Sequence, residues 1–128
     1  MSNNTLSSDV IEAAINVHKE LGTGLLESVY QACMFIELSG MGVGVKAEVA
    51  VPIRFRGKEI TEQGFRVDLL VEDTLVVELK SVDQIRAVHK KQLLTYLKLS
   101  QKPLGLLINF NEVLLKDGIT RIINKPIG

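Results

Sequence analysis

Apolar and polar residues recur along the chain with two different periods, and the switch between them divides the sequence into regions. In "SSDVIEAAINVHKELGTG" the apolar Val10, Ala13, Ala14, Val17 and Leu21 stand three to four apart, the period of one helical face. Ser8 or Asp9 is a suitable N-cap and Gly22 a suitable stop, so a first helix is predicted between them. "LLESVYQACMFIELSGMG" keeps the helical period through Leu25, Leu26, Val29, Cys33 and Ile36, then breaks at Gly40 and Gly42. From Glu48 the period becomes two: "EVAVPIRF" alternates, "RGK" turns the chain, and Phe65 to Val71 and Leu75 to Lys80 read as a hairpin. Helical spacing returns from about Ile85 to Leu99 and ends before Pro103. "LGLLINF" is nearly all apolar, as a strand covered on both faces would be. "VLLKDGITRII" reads as a closing hairpin turning at Asp117-Gly118. The predicted order is α-α-β-β-β-α-β plus a terminal β-ribbon.

Within this pattern three charges are out of place. Side chains alternate faces along a strand, so Phe65, Val67, Leu69 and Val71 share one face and Arg66, Asp68 and Leu70 the other. In the next strand Leu75, Val77 and Leu79 share a face, leaving Val76, Glu78 and Lys80 opposite. Matching the two apolar faces fixes the register parity, since a slip by one residue would push charges into the packed layer. With Glu72-Asp73-Thr74 as the loop, Val71 faces Leu75 and Asp68 lies across from Glu78, their Cβ atoms about 5 Å apart. Two carboxylates so close repel and raise a pKa unless a cation shares them, and oxygen donors suit Mg²⁺ or Mn²⁺. The competing explanation is an ordinary edge salt bridge between Lys80 and Glu78.

Bulk properties narrow the picture modestly. The 128 residues, 46% hydrophobic, suit one globular domain spanning 1–128. Fifteen basic residues balance fifteen acidic ones, so attraction to nucleic acid must come from a local patch and not from net charge. The single cysteine, Cys33, excludes a disulfide framework and a cysteine-based zinc site; it reads as a small buried residue in a reducing compartment. No apolar run reaches the roughly 18 residues of a membrane span, and "MSNNTLSSD" lacks the features of a signal peptide. The expectation is a cytoplasmic protein with no membrane partner.

Three short motifs carry a resemblance. Asp68 followed by "ELK", Glu78 to Lys80, is similar to the D-(x)n-E-x-K signature of the PD-(D/E)XK nuclease superfamily. "GLLESVY", with Gly24, Glu27 and Tyr30, resembles the G-x-x-E-x-x-Y heptad that names one branch of that superfamily. "QLLTY", with Gln92 and Tyr96, resembles the Q-x-x-x-Y motif on the helix after the catalytic hairpin in RecB-like nucleases. The resemblance covers about residues 8–123. One departure is that Gly64, and no proline, stands near the start of the Asp68 strand. The implied fold is α/β, a restriction-endonuclease-like αβββαβ core with a mixed central sheet, an extra N-terminal helix and a C-terminal β-ribbon.

The resemblance also implies roles. Glu27, Asp68 and Glu78 would supply carboxylate ligands to Mg²⁺ or Mn²⁺, the backbone carbonyl of Leu79 would add an oxygen, and Lys80 would stand by the attacking water. Such an ion polarises a phosphate and lowers the pKa of bound water. A lysine can orient or deprotonate that water and neutralise charge in the transition state. Gln92 and Tyr96, at i and i+4, would face one way toward substrate or the metal's surroundings. Taken alone, Glu27 would read as a solvated helix carboxylate, and His18 as a helix-boundary residue. Arg86, His89, Lys90 and Lys91, with Lys98 and Lys102 beyond, form a candidate phosphate-contacting face or a plain solvated one. "RFRGK", residues 54–58, is a hairpin tip that could grip a groove, although turns are commonly charged.

Three function classes follow: a metal-dependent nuclease acting on nucleic acid, DNA favoured over RNA; a nucleic-acid-binding module without independent catalysis; and a protein-interaction domain, with homodimerisation through the terminal ribbon compatible with either.

Overall fold

The computed structural model describes residues 2–125, with residues 61–65 described by their backbone alone. The expected side-chain position of Phe65 therefore lies outside the described residues. The element order is α1 (Asn3–Leu21), α2 (Glu27–Gly40), β1 (Val45–Phe55), β2 (Lys58–Val71), β3 (Leu75–Lys80), α3 (Ala87–Ser100), β4 (Leu104–Asn109), a 3₁₀ turn (Leu115–Gly118) and β5 (Ile119–Ile123).

The strands form one five-stranded sheet in the order β1-β2-β3-β4-β5. All neighbours are antiparallel except β3 and β4, which run parallel from Leu75↔Leu104 to Lys80↔Asn109. The parallel pair needs a crossover, and α3 supplies it. On one face of the sheet, α1 and α2 pack Val10, Ala14, Val17, Tyr30, Met34 and Leu38 against Leu69, Val77, Leu79 and Leu106. On the other, α3 packs Leu93, Tyr96 and Leu97 against Leu70, Val76 and Leu107. Every residue of β4 is buried, as its continuous apolar run predicts. Among the described residues no helix is long and apolar enough to cross a membrane.

Three local features differ from the pattern. α1 begins at Asn3 because Ser2, and neither Ser8 nor Asp9, is the N-cap: its Oγ accepts from the Thr5 N–H at 3.1 Å, and Leu6 is then buried. α2 buries Tyr30, Met34 and Leu38, while Val29 and Ile36, and Leu26 just before it, are exposed. The helix carries apolar residues on more than one side, so period alone selects the wrong face. The predicted turn at Asp117-Gly118 is a 3₁₀ turn feeding one edge strand, β5, which pairs with β4. Leu115 is buried there, and Gly118 lies so close to the Asn109 carbonyl that a Cβ has no room. Among the described residues this segment forms that one strand and no separate ribbon.

Candidate active site

β2 and β3 pair at Val71↔Leu75, Leu70↔Val76 and Leu69↔Val77, the register that the apolar faces demand. Beyond Leu69 the two strands cease to pair with each other, β2 continuing with β1 and β3 with β4. The result is a notch in the sheet. Asp68 and Glu78 fill it, and their carboxylates replace the missing ladder acceptors. The Leu79 N–H donates to Asp68 Oδ2 at 2.7 Å, and the Asp68 N–H donates to Glu78 Oε1 at 3.2 Å. Each acid thus satisfies a backbone donor exposed by the splaying of the strands, and each is fixed in direction by it.

The electrostatics of the notch are strained by burial. Glu78 is 7% exposed. Its pKa is pushed up from 4.5 to about 8, first by desolvation and then by the charge of Asp68. Asp68 is raised as well, by desolvation above all, with the Leu79 hydrogen bond and the positive charge of Lys80 opposing the rise. Tyr96 of α3 has its phenol raised by burial and by the negative charges of Glu78 and Asp68, so it lies within electrostatic range of both.

Lys80 is half-buried on the same strand. Among the described residues it forms no ion pair within 4 Å with either acid, so the ordinary salt bridge considered from sequence is not made. Its backbone is pinned: the Lys80 carbonyl accepts from the Phe110 N–H at 2.9 Å. Fully buried Asn109, its partner on β4, holds the following loop through both the Val82 N–H (3.1 Å) and the Val82 carbonyl (2.9 Å).

The heptad residues have distinct tasks. Gly24 takes φ +89°, a conformation that strains any residue with a Cβ. The Tyr30 hydroxyl donates to the Gly22 carbonyl at 2.7 Å and accepts from the Leu25 N–H at 3.3 Å, while its ring stacks on Phe110 at 4.3 Å. Together they build the loop that places Glu27 at the first position of α2, where its charge suits the helix dipole. Glu27 has no hydrogen bond or ion pair among the described residues, yet its charge contributes to the raised pKa of Asp68. Among the described residues, no three His, Cys, Asp or Glu side chains converge closely enough to hold a metal. The donor set in contact is the Asp68–Glu78 pair, with Glu27 standing off at the helix end.

Two residues that sequence reasoning passed over support the notch. Gln31, one turn after Glu27, donates through Nε2 to the Asp68 carbonyl at 2.9 Å and to Glu48 Oε1 at 3.1 Å. Glu48 stands between Ala47 and Val49, whose partners Leu69 and Val67 flank Asp68, and has φ +54°, a strained conformation for a residue in a strand. Arg66 Nη1 donates to its carbonyl at 3.2 Å. The i, i+4 spacing from Glu27 to Gln31 is the one signal in the sequence that pointed there.

The other candidates are divided. Tyr96 is buried and feels the charges of the notch, whereas Gln92, one turn earlier, is exposed. Arg86, Lys90 and Lys91 are exposed near the start of α3. His89 uses Nδ1 to accept from the Arg86 N–H at 2.9 Å, so this nitrogen caps the helix. His18 fastens α1 to the loop before the 3₁₀ turn, with Nε2 2.8 Å from the Glu112 carbonyl.

A mixed sheet between helices, with paired carboxylates where two strands part, is a restriction-endonuclease-like architecture. Residues 4–122 match the family described as the PD-(D/E)XK nuclease superfamily, and the chain belongs to it. Among solved structures, the crystal structure of SSO0001 is similar at a TM-score of 0.51 and 24% identity, covering 79% of this chain and 50% of that one. The chain thus spans half the length of SSO0001, and the likeness is one of fold. An alkaline exonuclease (LHK-Exo) from Laribacter hongkongensis aligns at a TM-score of 0.45 and 13% identity, covering 97% of this chain and 83% of that one. No curated protein sequence matches.

Proposed function

We propose that this chain is a single-domain, divalent-metal-dependent nuclease of the G-x-x-E-x-x-Y branch, hydrolysing phosphodiester bonds in nucleic acid, DNA favoured over RNA. The observation that carries the proposal is the Asp68–Glu78 pair, oriented by backbone donors in a notch that raises both pKa values. Burying two acids side by side is costly unless a cation or proton is shared between them. Their hard oxygens fit Mg²⁺ or Mn²⁺, and Mg²⁺ is commonly held by one or two carboxylates while keeping several waters. In this reading Asp68 and Glu78 would hold the ion, with the Leu79 carbonyl as a further oxygen donor and Glu27 of α2 as a third carboxylate.

Bound there, the ion would supply Lewis acidity toward the phosphate and an acidified water. The chain's own residues do the rest. Lys80 orients or deprotonates the attacking water and offsets negative charge that develops on the phosphate. Tyr96 and Gln92 face the substrate backbone from α3, and Arg86, Lys90 and Lys91 extend a cationic approach along that helix, with the His89 ring beside them as a further polar contact. Gln31 keeps the Asp68 backbone in place.

A second reading, a protein-interaction domain on the same fold, draws on the exposed Val29, Phe35 and Ile36 along α2 and Leu26 just before it; homodimerisation is one form of it. Single- and double-stranded DNA and RNA, incubated with the full chain and Mg²⁺ or Mn²⁺, test the first reading. Metal-dependent cleavage that disappears in Glu78→Gln supports it. Absence of cleavage on all four substrates favours the interaction reading.

A further inference from the structure

The β1–β2 hairpin is longer than the body of the protein uses. Its register runs regularly to Val51↔Phe65 and resumes at Ile53↔Ile60, so one residue of β1 faces four of β2. A bulge of this kind bends and re-aims a ribbon. The arm beyond it, residues 53–60, turns at Arg56 (φ +51°) and Gly57 (φ +77°), the two positive φ values of a tight hairpin turn. Phe55 is 62% and Ile60 51% exposed, and neither belongs to the buried core on either face of the sheet. Arg54, Arg56 and Lys58 are exposed beside them, with Glu59 the one acid among residues 54–60. The Arg56 guanidinium lies over the Phe55 ring, 5.2 Å from its centroid. A solvated turn has no use for an exposed aromatic and an exposed isoleucine. A flat guanidinium–aromatic pair among cations suits contact with sugars and phosphates.

The arm grows out of the notch. β2 carries Asp68 where it parts from β3, and β1 advances only six residues between Val49, the partner of Val67, and Phe55, the partner of Lys58, so the tip stands at most about 23 Å from Asp68 at strand rise. One turn of duplex DNA advances about 34 Å, so that reach spans about two-thirds of a turn, and duplex is stiff on this scale. Charges on a hydrogen-bonded ribbon at a bounded distance match a stiff partner better than a flexible single strand.

We propose that residues 53–60 form a substrate arm that grips the double-stranded flank of the nucleic acid within about two-thirds of a helical turn of the Asp68–Glu78 notch. This rests on the nuclease reading and adds to it a duplex substrate class. The test is binding of the full chain to DNA duplexes of about 6, 10, 14 and 20 base pairs and to single strands of equal lengths. Wild type is compared with the triple variant Arg54→Ala, Arg56→Ala, Lys58→Ala and with Phe55→Ala. Wild-type affinity should climb between the shortest duplex and those that exceed about two-thirds of a turn, roughly 7 base pairs, and level off beyond. The triple variant should bind the long duplexes about tenfold or more weakly, with a salt dependence flattened by about 0.9 per lost phosphate contact. All proteins should melt alike, because the substituted side chains are exposed. Equal binding of long duplex by wild type and the triple variant overturns the arm, as does equal loss of single-strand binding. Wild type that binds long duplex through the arm but cleaves nothing upholds the arm and sinks the nuclease reading; wild type that binds no nucleic acid overturns both.

Discussion

The two faces of the central sheet are built to different rules. Toward α1 and α2, β3 presents Leu75, Val77 and Leu79 to a dry layer completed by Tyr30, Met34 and Phe110. Toward α3, the same strand presents Val76 and then Glu78 and Lys80, so the apolar layer gives way to charge within two residues. One strand thus serves folding on one side and, in our reading, chemistry on the other. The difference teaches that stability and function here can be separated by substitutions one position apart.

The largest contrast should come from Leu79 and Glu78. Leu79→Ala removes a side chain 1% exposed and should cost about 2–5 kcal/mol in urea unfolding. Glu78→Gln should leave the metal-free protein as stable or more stable at pH 8, because the amide keeps an acceptor for the Asp68 N–H without the buried charge. It should nevertheless lose metal-dependent cleavage. Loss of stability in both variants would erase the distinction between the faces.

The pH dependence follows from the same pair. Below its ordinary value of 4.5, Glu78 is protonated both folded and unfolded, and its burial carries no ionic cost. Between 4.5 and about 8 the unfolded chain ionises first, so folding must take up a proton and stability falls as pH rises. Asp68 is shifted in the same direction. Urea denaturation of metal-free protein at intervals across this window should show that decline, and Glu78→Gln should flatten it. A wild-type stability that rises with pH there would contradict the electrostatic account of the notch.

Lys80 offers a finer cut. Lys80→Ala should retain metal binding in a calorimetric titration, since an ammonium is no ligand, while cleavage drops about 10²-fold. Full activity in the variant would remove Lys80 from the mechanism. The smallest effect should come from Gln31→Ala, which deletes the bond to the Asp68 carbonyl. A cost of about 1 kcal/mol in stability with a weaker response to metal is expected; an unaltered metal response would reduce Gln31 to a structural tie.

Much of this arrangement was legible in the sequence wherever one physical constraint dominated. The period-two pattern and the cost of burying charges fixed the β2–β3 register, and with it the opposition of Asp68 and Glu78. The all-apolar run of β4 announced a strand covered on both faces. Where several residues compete, the pattern misleads. α2 has apolar residues around most of its circumference, and its orientation is settled by the Tyr30 hydroxyl and the Phe110 ring, which lie far apart in sequence. α1 starts at a cap six residues before the predicted one because Ser2 and Thr5 pair locally. The Gln31–Glu48–Arg66 support of the notch depends on a positive φ at Glu48, which no periodicity announces. The 3₁₀ turn before β5 follows from the tight approach of Gly118 to Asn109, a tertiary contact.

The central claim is that the Asp68–Glu78 notch is a divalent-cation site. It is tested most directly by thermal unfolding of wild type and Asp68→Asn with and without millimolar Mn²⁺. A ligand that binds only the folded state stabilises it by mass action, so wild type should melt higher by roughly 5 °C or more at saturating metal, and Asp68→Asn should lose most of that gain. A wild-type melting curve unmoved by Mn²⁺, or an equal gain in Asp68→Asn, would contradict the account.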